Sequence, residues 1–279
     1  MPRPGPVAIL ATLTCLAGCS GDGRPQYDVL IRNGTVIDGS GAAGVRADVA
    51  LRGDSIAALG DLSGATAARE VDATGLVVAP GFINMLSWAN ESLLEDGRSL
   101  SDILQGVTLE VMGEGTSMGP LNQAMKQELV QNQGDIRYDV AWTSLGEYLE
   151  HLERRGISPN VASFVGATTV RVHELGYEDR APSPEELERM RALVRQAMAE
   201  GALGLGSSLI YAPAFYAKTP ELVALAAEAG RSGGTYISHL RSEGNDLYRA
   251  LDELLEVARS AAVPAEIYHL KMAGHENWG

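Results

Sequence analysis

Between residues 28 and 72 apolar and polar positions alternate in short runs. The first, Asp28-Val29-Leu30-Ile31-Arg32, is followed by Asn33-Gly34, a dipeptide suited to a hairpin turn. Ala47-Asp48-Val49-Ala50-Leu51 alternates again and breaks at Gly53-Asp54, and residues 55–60 and 69–72 repeat the pattern. Period-two alternation puts successive side chains on opposite faces, so each run reads as a half-buried strand. Short strands separated by glycine turns predict a small β-sandwich domain over residues 28–79.

From Leu76 the texture changes. Leu76-Val77-Val78-Ala79-Pro80-Gly81-Phe82-Ile83 is a nearly continuous apolar run, the pattern of a parallel strand buried on both faces. Residues 107–112, 161–165, 202–206, 235–238 and 266–268 supply further strands. Helices fall between them. Ser144 and Glu147 form a capping box whose helix closes at Gly156; Ser183, Pro184 and Glu186 open another that ends at Gly201. Thr219-Pro220 starts a helix closed by Gly230, and Asn245 starts one running to Ala262. In the last, Leu247, Leu251, Leu254, Leu255 and Ala258 keep helical spacing. The later strand–helix units recur about every 30 residues, as right-handed parallel units do. The fold class predicted is α/β: an incomplete (β/α)8 TIM barrel of about six strands over residues 80–279, preceded by the sandwich. Six strands leave two parallel edges, so strands seven and eight are expected beyond Gly279. A self-contained open α/β sheet is the alternative.

The first residues have a different purpose. Arg3 precedes the short apolar core of residues 7–16, and Leu16-Ala17-Gly18-Cys19 resembles a bacterial lipobox. Residues 1–19 are therefore expected to be a lipoprotein-type signal peptide, with Cys19 carrying the lipid and residues 20–27 forming a tether. A simple secretory signal is the alternative. The expected location is exported, on the periplasmic side of a bacterial membrane, with the anchor as the sole membrane contact. No internal stretch reaches the roughly 20 apolar residues of a membrane span. Cys15 and Cys19 are the only cysteines, so the folded part offers no thiolate ligand. Acidic residues outnumber basic ones 36 to 22, and the net charge of -14 disfavours nucleic acid.

In barrels of this kind the reacting groups sit at the C-terminal ends of strands. The fifth predicted strand ends in His239 and the sixth in His269. Imidazoles at neighbouring strand ends can share one cation, zinc above all, although a lone strand histidine is commonly a hydrogen-bonded core residue. Lys271 lies two positions after His269, on the same side, and can hold a substrate carboxylate; a solvated loop lysine is the plainer alternative. Tyr211, after the fourth strand, can touch substrate or plug the mouth. His151, His173 and His275 look incidental.

Several segments together resemble the front part of the D-aminoacylases, N-acyl-D-amino-acid deacylases of the amidohydrolase superfamily. They are "DVLIRNGTVIDGSG", "ADVALRGDSIAALG", "ATGLVVAPGFI", "GALGLGSSLIYAPAFYAKTPELVALA", "TYISHLRSEG" and "IYHLKMAGHENWG". The resemblance implies that His239 and His269 match zinc ligands and that Lys271 and Tyr211 match substrate-contacting positions. It also implies an acid–base aspartate on a later strand, beyond Gly279. The departures are specific. Leu86 and Trp88 stand where the family's Asp-x-His-x-His places two histidines, Gly115 where Gly-Asn-Cys-Gly places its cysteine, and Ala167 where a histidine is common. Two ligands remain where a catalytic zinc takes about three and an open water position. Glu114, beside Gly115 at the end of the second strand, is the candidate third ligand, and Glu110 the second choice. A salt-bridged loop carboxylate is the plainer reading of Glu114. The expected activity is hydrolysis of the carbon–nitrogen amide bond of an N-acyl amino acid by one zinc. The alternatives are a binding lipoprotein with a degenerate site, and an amidohydrolase acting on a cyclic amide or dipeptide.

Overall fold

The computed structural model describes residues 25–278, and these divide between Pro80 and Gly81 into two compact units. The signal segment, Cys15, Cys19 and most of the tether lie outside the described residues.

In the first unit β1 (Tyr27–Val36), β2 (Val45–Arg52), β3 (Ser55–Gly60), β4 (Ala67–Asp72) and β5 (Val77–Val78) join into one mixed sheet. β1 pairs antiparallel with β2, and β2 with β3. β4 and β5 run parallel to β1 along successive stretches of its edge, at Tyr27–Arg32 and Thr35–Val36. The expected sandwich is thus a single layer among the described residues, because β4 and β5 extend the edge of β1 rather than start a second sheet. Register sets Leu30 against Ala50, both fully buried.

Asn33-Gly34 is not the predicted hairpin. It is a bulge inside β1, where the register with β2 slips between Ile31 and Gly34 and Asn33 takes a φ of 62°. Two aspartates stabilise it. Asp48 accepts from the Asn33 backbone N–H at 2.9 Å, and Asp72 accepts from its side-chain amide at 3.1 Å. Side chains from both neighbouring strands satisfy donors that the slipped ladder leaves free, so the chain continues instead of reversing.

The second unit begins with β6 (Phe82–Asn84), the short helices α1 (Ser92–Glu95) and α2 (Leu100–Ile103), and β7 (Val107–Met112). α3 (Gln123–Gln131), α4 (Leu145–Arg155), β8 (Asn160–Ser163), β9 (Val165–Gly166) and α5 (Ala167–Leu175) follow. Then come α6 (Pro184–Ala199), β10 (Gly204–Ser208), α7 (Thr219–Arg231), β11 (Thr235–His239), α8 (Leu247–Ala261) and β12 (Ala265–Ile267). β6, β7 and β8 pair in that order, as do β9, β10, β11 and β12, and every pair is parallel. Only Phe164 separates β8 from β9, so the strands succeed one another in chain order. The apolar run 76–83 does not form one strand. Val77 and Val78 pair with β1, and Phe82–Asn84 pairs with β7, with Pro80-Gly81 between them. Proline lacks the ladder donor and breaks the run there.

Alternation assigns the two faces of these two parallel sheets. Met112, Val165, Leu205 and Tyr236 join the large core, with Met190 and Val194 of α6 and Leu222, Leu225 and Ala226 of α7. Their neighbours Val111, Phe164 and Ile237 form a smaller apolar cluster with Tyr268. Both predicted capping boxes are present. Ser183 Oγ accepts from the Glu186 N–H at 3.2 Å while Glu186 accepts from the Ser183 N–H at 2.7 Å, and Ser144 and Glu147 do the same. Each cap of this type contributes about 1 kcal/mol. α8 begins one residue later than the sequence suggests, with Asp246 at its cap and no side-chain cap bond.

Candidate metal centre

Three strand ends deliver the site. His239 is the last residue of β11 and shares a face with Ile237, two positions earlier, by strand periodicity. His269 follows β12 by two residues, and Glu114 follows β7 by two. Glu114 Oε1 lies 3.1 Å from His239 Nδ1 and 2.9 Å from His269 Nε2. The two imidazoles meet edge to face, with centroids 4.5 Å apart and planes at 83°. Glu114 and His239 are 7% and 3% exposed, so the carboxylate and one ring are out of bulk water. One ligand atom from each of the three residues lies within 4.8 Å of the others.

That donor set suits zinc. Two neutral imidazole nitrogens and one carboxylate oxygen form a three-ligand site of the catalytic type, which leaves a further position open. The charge balance points the same way. A second carboxylate, Glu243, places Oε1 3.3 Å from His239 Nε2 and 3.3 Å from His269 Nδ1, with Lys271 Nζ at 3.1 Å. Two mostly buried carboxylates thus face two imidazoles and a single lysine, and a divalent cation at Glu114 offsets the excess negative charge.

Glu114 and not Glu110 meets the histidines. Glu110 is wholly buried on β7, and its Oε2 accepts from the Asn84 amide at 3.0 Å. Gly115 leaves no room for a side chain of its own. Its φ is +74°, which side-chain-bearing residues rarely adopt, and a Cβ there would run into Ser208, with the backbone nitrogen of Ser208 only 2.9 Å away. A cysteine at this position would be strained and would collide with β10, whereas Glu114 reaches the rings freely. Leu86 packs against the small apolar cluster, Trp88 is exposed, and Ala167 is buried at the start of α5. None of the three supplies a ligand atom.

Trp88, Glu114, Tyr211, His239, His269 and Lys271 all line one cleft of about 670 Å³. Tyr211 presents its ring edge-on to His239 at 5.3 Å, and Lys271 is half-exposed at the mouth. The sequence reading therefore placed its five candidates in one cleft, but it missed Glu243. The available signal was the His239-x3-Glu243 spacing just past a strand end, hidden in a run that reads as a polar loop. Beneath the site, the Tyr268 hydroxyl is buried without a partner. Burial, reinforced by the nearby Glu114 and Glu266 carboxylates, pushes its phenol pKa up and keeps it protonated. His151 packs on Trp142, His173 contacts Glu174 and His275 stacks near Trp278, all outside the cluster.

No protein-family model matches the chain. Among solved structures, a D-aminoacylase described as defining a novel subset of amidohydrolases superposes with a TM-score of 0.80 at 37% identity, over 91% of this chain and 53% of that one. The N-acyl-D-glutamate deacylase of Bordetella bronchiseptica, solved with zinc and a phosphonate inhibitor, gives 0.79 at 29% identity, over 91% of this chain and 53% of its own. By these likenesses the chain has the α/β fold of the amidohydrolase D-aminoacylase structures. In sequence it is similar to D-aminoacylases and N-acyl-D-amino-acid deacylases. It is 38% identical over 262 residues to the D-aminoacylase of Alcaligenes xylosoxydans xylosoxydans, covering 92% of this chain and 53% of the relative. It is 35% identical over 261 residues to the N-acyl-D-glutamate deacylase of the same organism, covering 92% and 52%. The chain spans about half the length of the curated relatives it matches.

Proposed function

We propose that this chain carries the metal site and the substrate-carboxylate anchor of a hydrolase that cleaves the amide bond of N-acyl-D-amino acids. The observation that carries this reading is the convergence of Glu114, His239 and His269 on one point at the floor of a cleft that also holds Lys271. With β8 and β9, which only Phe164 separates, taken as one strand, its parallel strands stand for the first six of a (β/α)8 barrel, and the mixed sheet for part of a sandwich. Cys19 carries a lipid anchor on the exported, periplasmic side of a bacterial membrane; acyl labelling that vanishes in Cys19→Ala is the expected outcome.

Glu114, His239 and His269 would hold the zinc, which would supply Lewis-acid activation of the scissile carbonyl and of water. The protein's own groups do the rest. Lys271 Nζ, half-exposed at the mouth, binds the α-carboxylate of the substrate as a compact point charge. Tyr211, against His239, lines the wall and orients the acyl-amide portion. Binding at two fixed points holds the scissile bond over the floor of the cleft, which supplies the proximity part of catalysis.

The test is zinc analysis with an assay of N-acetyl-D-amino acids on the protein as its cell produces it. Release of free D-amino acid that stops on chelation supports the reading, and no turnover across the panel sinks it. Lys271→Met is expected to raise KM about 10- to 100-fold with a smaller change in kcat, because a hydrogen bond to a charged group is worth about 1.5–3 kcal/mol. Steady-state kinetics checks this, and an unchanged KM removes Lys271 from substrate binding. Leu86 and Trp88, which offer no ligand atoms, favour a second reading, a module that binds the same compounds without cleaving them. Saturable binding by calorimetry with no product identifies that case.

A further inference from the structure

We propose that Glu243 is the positioning residue of the metal centre, and that one carboxylate oxygen sets both histidine ligands and couples them to the substrate anchor. The inference rests on the metal reading above. Glu243 Oε1 lies 3.3 Å from His239 Nε2 and 3.3 Å from His269 Nδ1, the ring nitrogens turned away from Glu114. Each imidazole is thus held between two carboxylates. Glu114 faces Nδ1 of His239 and Nε2 of His269, and Glu243 faces the other nitrogen of each. A neutral imidazole carries one N–H and one lone pair. An acceptor at the outer nitrogen places the proton there and frees the inner lone pair for a cation, the arrangement usual for metal-binding histidines. Here a single oxygen serves two ligands.

Three features favour this oxygen as placed and not incidental. Glu243 Oε1, His239 Nε2 and His269 Nδ1 are all buried and make no hydrogen bond, so their polar contacts are the approaches of 3.3 Å to one another and, for Glu243 Oε1, of 3.1 Å to Lys271. The Glu243 carbonyl accepts from the Ala273 N–H at 2.6 Å, which ties the loop after β11 to the segment after β12. Lys271 Nζ reaches the same Oε1 at 3.1 Å while half of its side chain faces solvent. Lysine has three donors, so one can stay on Glu243 while others meet a substrate carboxylate. Glu243 therefore fixes the distance between the anchor and the metal as well as the tilt of the rings.

The experiment compares wild type, Glu243→Leu, Glu243→Gln and Glu114→Gln. It measures zinc affinity by competition with a chromophoric chelator and the melting temperature of each protein in EDTA. Glu243→Leu is expected to weaken zinc about 10- to 100-fold, the usual effect of losing such a partner. Its melting temperature in EDTA should not fall, because without the metal Glu243 is a second carboxylate beside Glu114, and the half-exposed Lys271 that it leaves can be solvated. Glu243→Gln keeps an acceptor oxygen and should recover part of the affinity. Zinc affinity unchanged in both Glu243 variants, with Glu114→Gln impaired, overturns this proposal alone. A parallel loss of metal-free stability in Glu243→Leu also overturns it, since that marks a purely structural residue. If the leucine variant does not fold, unchanged affinity in Glu243→Gln has the same force. Wild-type protein that takes up no zinc overturns this proposal and the metal reading together.

Discussion

Glu114→Gln is expected to lower zinc affinity by at least about 100-fold and hydrolysis with it, the largest functional effect of any single change in the chain. Loss of a group that merely supports a ligand costs about 10- to 100-fold, and in the proposed reading Glu114 is itself the ligand. The substitution keeps the volume and leaves two imidazoles, fewer than the roughly three protein ligands a catalytic zinc takes. Folding should be spared, because a neutral amide replaces a carboxylate that is 7% exposed. Zinc titration with a competing chelator decides the matter. Wild-type affinity in Glu114→Gln would assign the third ligand elsewhere. Glu110→Gln is the matched control and should bind zinc normally, since Glu110 spends its Oε2 on the Asn84 amide. Adding Gly115→Cys to Glu114→Gln should not restore the ion. The φ of +74° and the approach of Ser208 make any side chain there costly, by about 1–3 kcal/mol for the backbone alone.

The residues that could be read from the sequence are those whose position follows from a local rule. His239 and His269 end runs that period-two patterning marks as strands, and strand ends of parallel sheets gather on one side. Glu114 was legible because it is the carboxylate beside Gly115, where the resembled family places its cysteine, just past β7. The two capping boxes were legible because both partners lie within four residues. What escaped needed tertiary information. The Asn33-Gly34 bulge depends on Asp48 and Asp72, 15 and 39 residues away. The break in the run 76–83 depends on which unit each half pairs with. α5 carries no clean apolar stripe, because it buries Thr169 and Arg171 beside Val170 and Leu175. Glu243 gains its meaning from His269, 26 residues later, and no local pattern connects the two.

Arg171→Met is expected to destabilise the second unit by about 3–5 kcal/mol, the largest loss of stability from one substitution. Arg171 is 1% exposed and donates to Glu221 Oε2 at 2.6 Å, joining α5 to α7. Its Nη2 also donates to the carbonyls of Glu178 at 3.1 Å and Arg180 at 2.6 Å, which pins the chain after α5. Removing the guanidinium leaves the Glu221 carboxylate buried without its neutralising partner. Burial already raises the Glu221 pKa despite the opposing pull of Arg171, and without Arg171 it rises further. The sign of the pH dependence follows. A carboxyl whose folded pKa lies above its unfolded value contributes most below the unfolded pKa and loses that contribution as pH rises through the folded one. The deficit of Arg171→Met should therefore be larger at neutral pH than in mild acid, and urea titrations at both values measure it. Arg171→Met with Glu221→Leu should recover much of the loss, because a buried pair replaced whole by apolar residues is often neutral or better. Recovery stays incomplete, since the Glu178 and Arg180 carbonyls lose their donor. A single variant within about 1 kcal/mol of wild type at neutral pH would mean that water reaches Glu221. The pair matters beyond stability because α5 starts against the metal loop, where the Thr168 N–H donates to the Gly115 carbonyl at 2.9 Å. The ion pair thus braces the helix that holds the backbone next to Glu114, and zinc should raise the variant's melting temperature by binding the folded state.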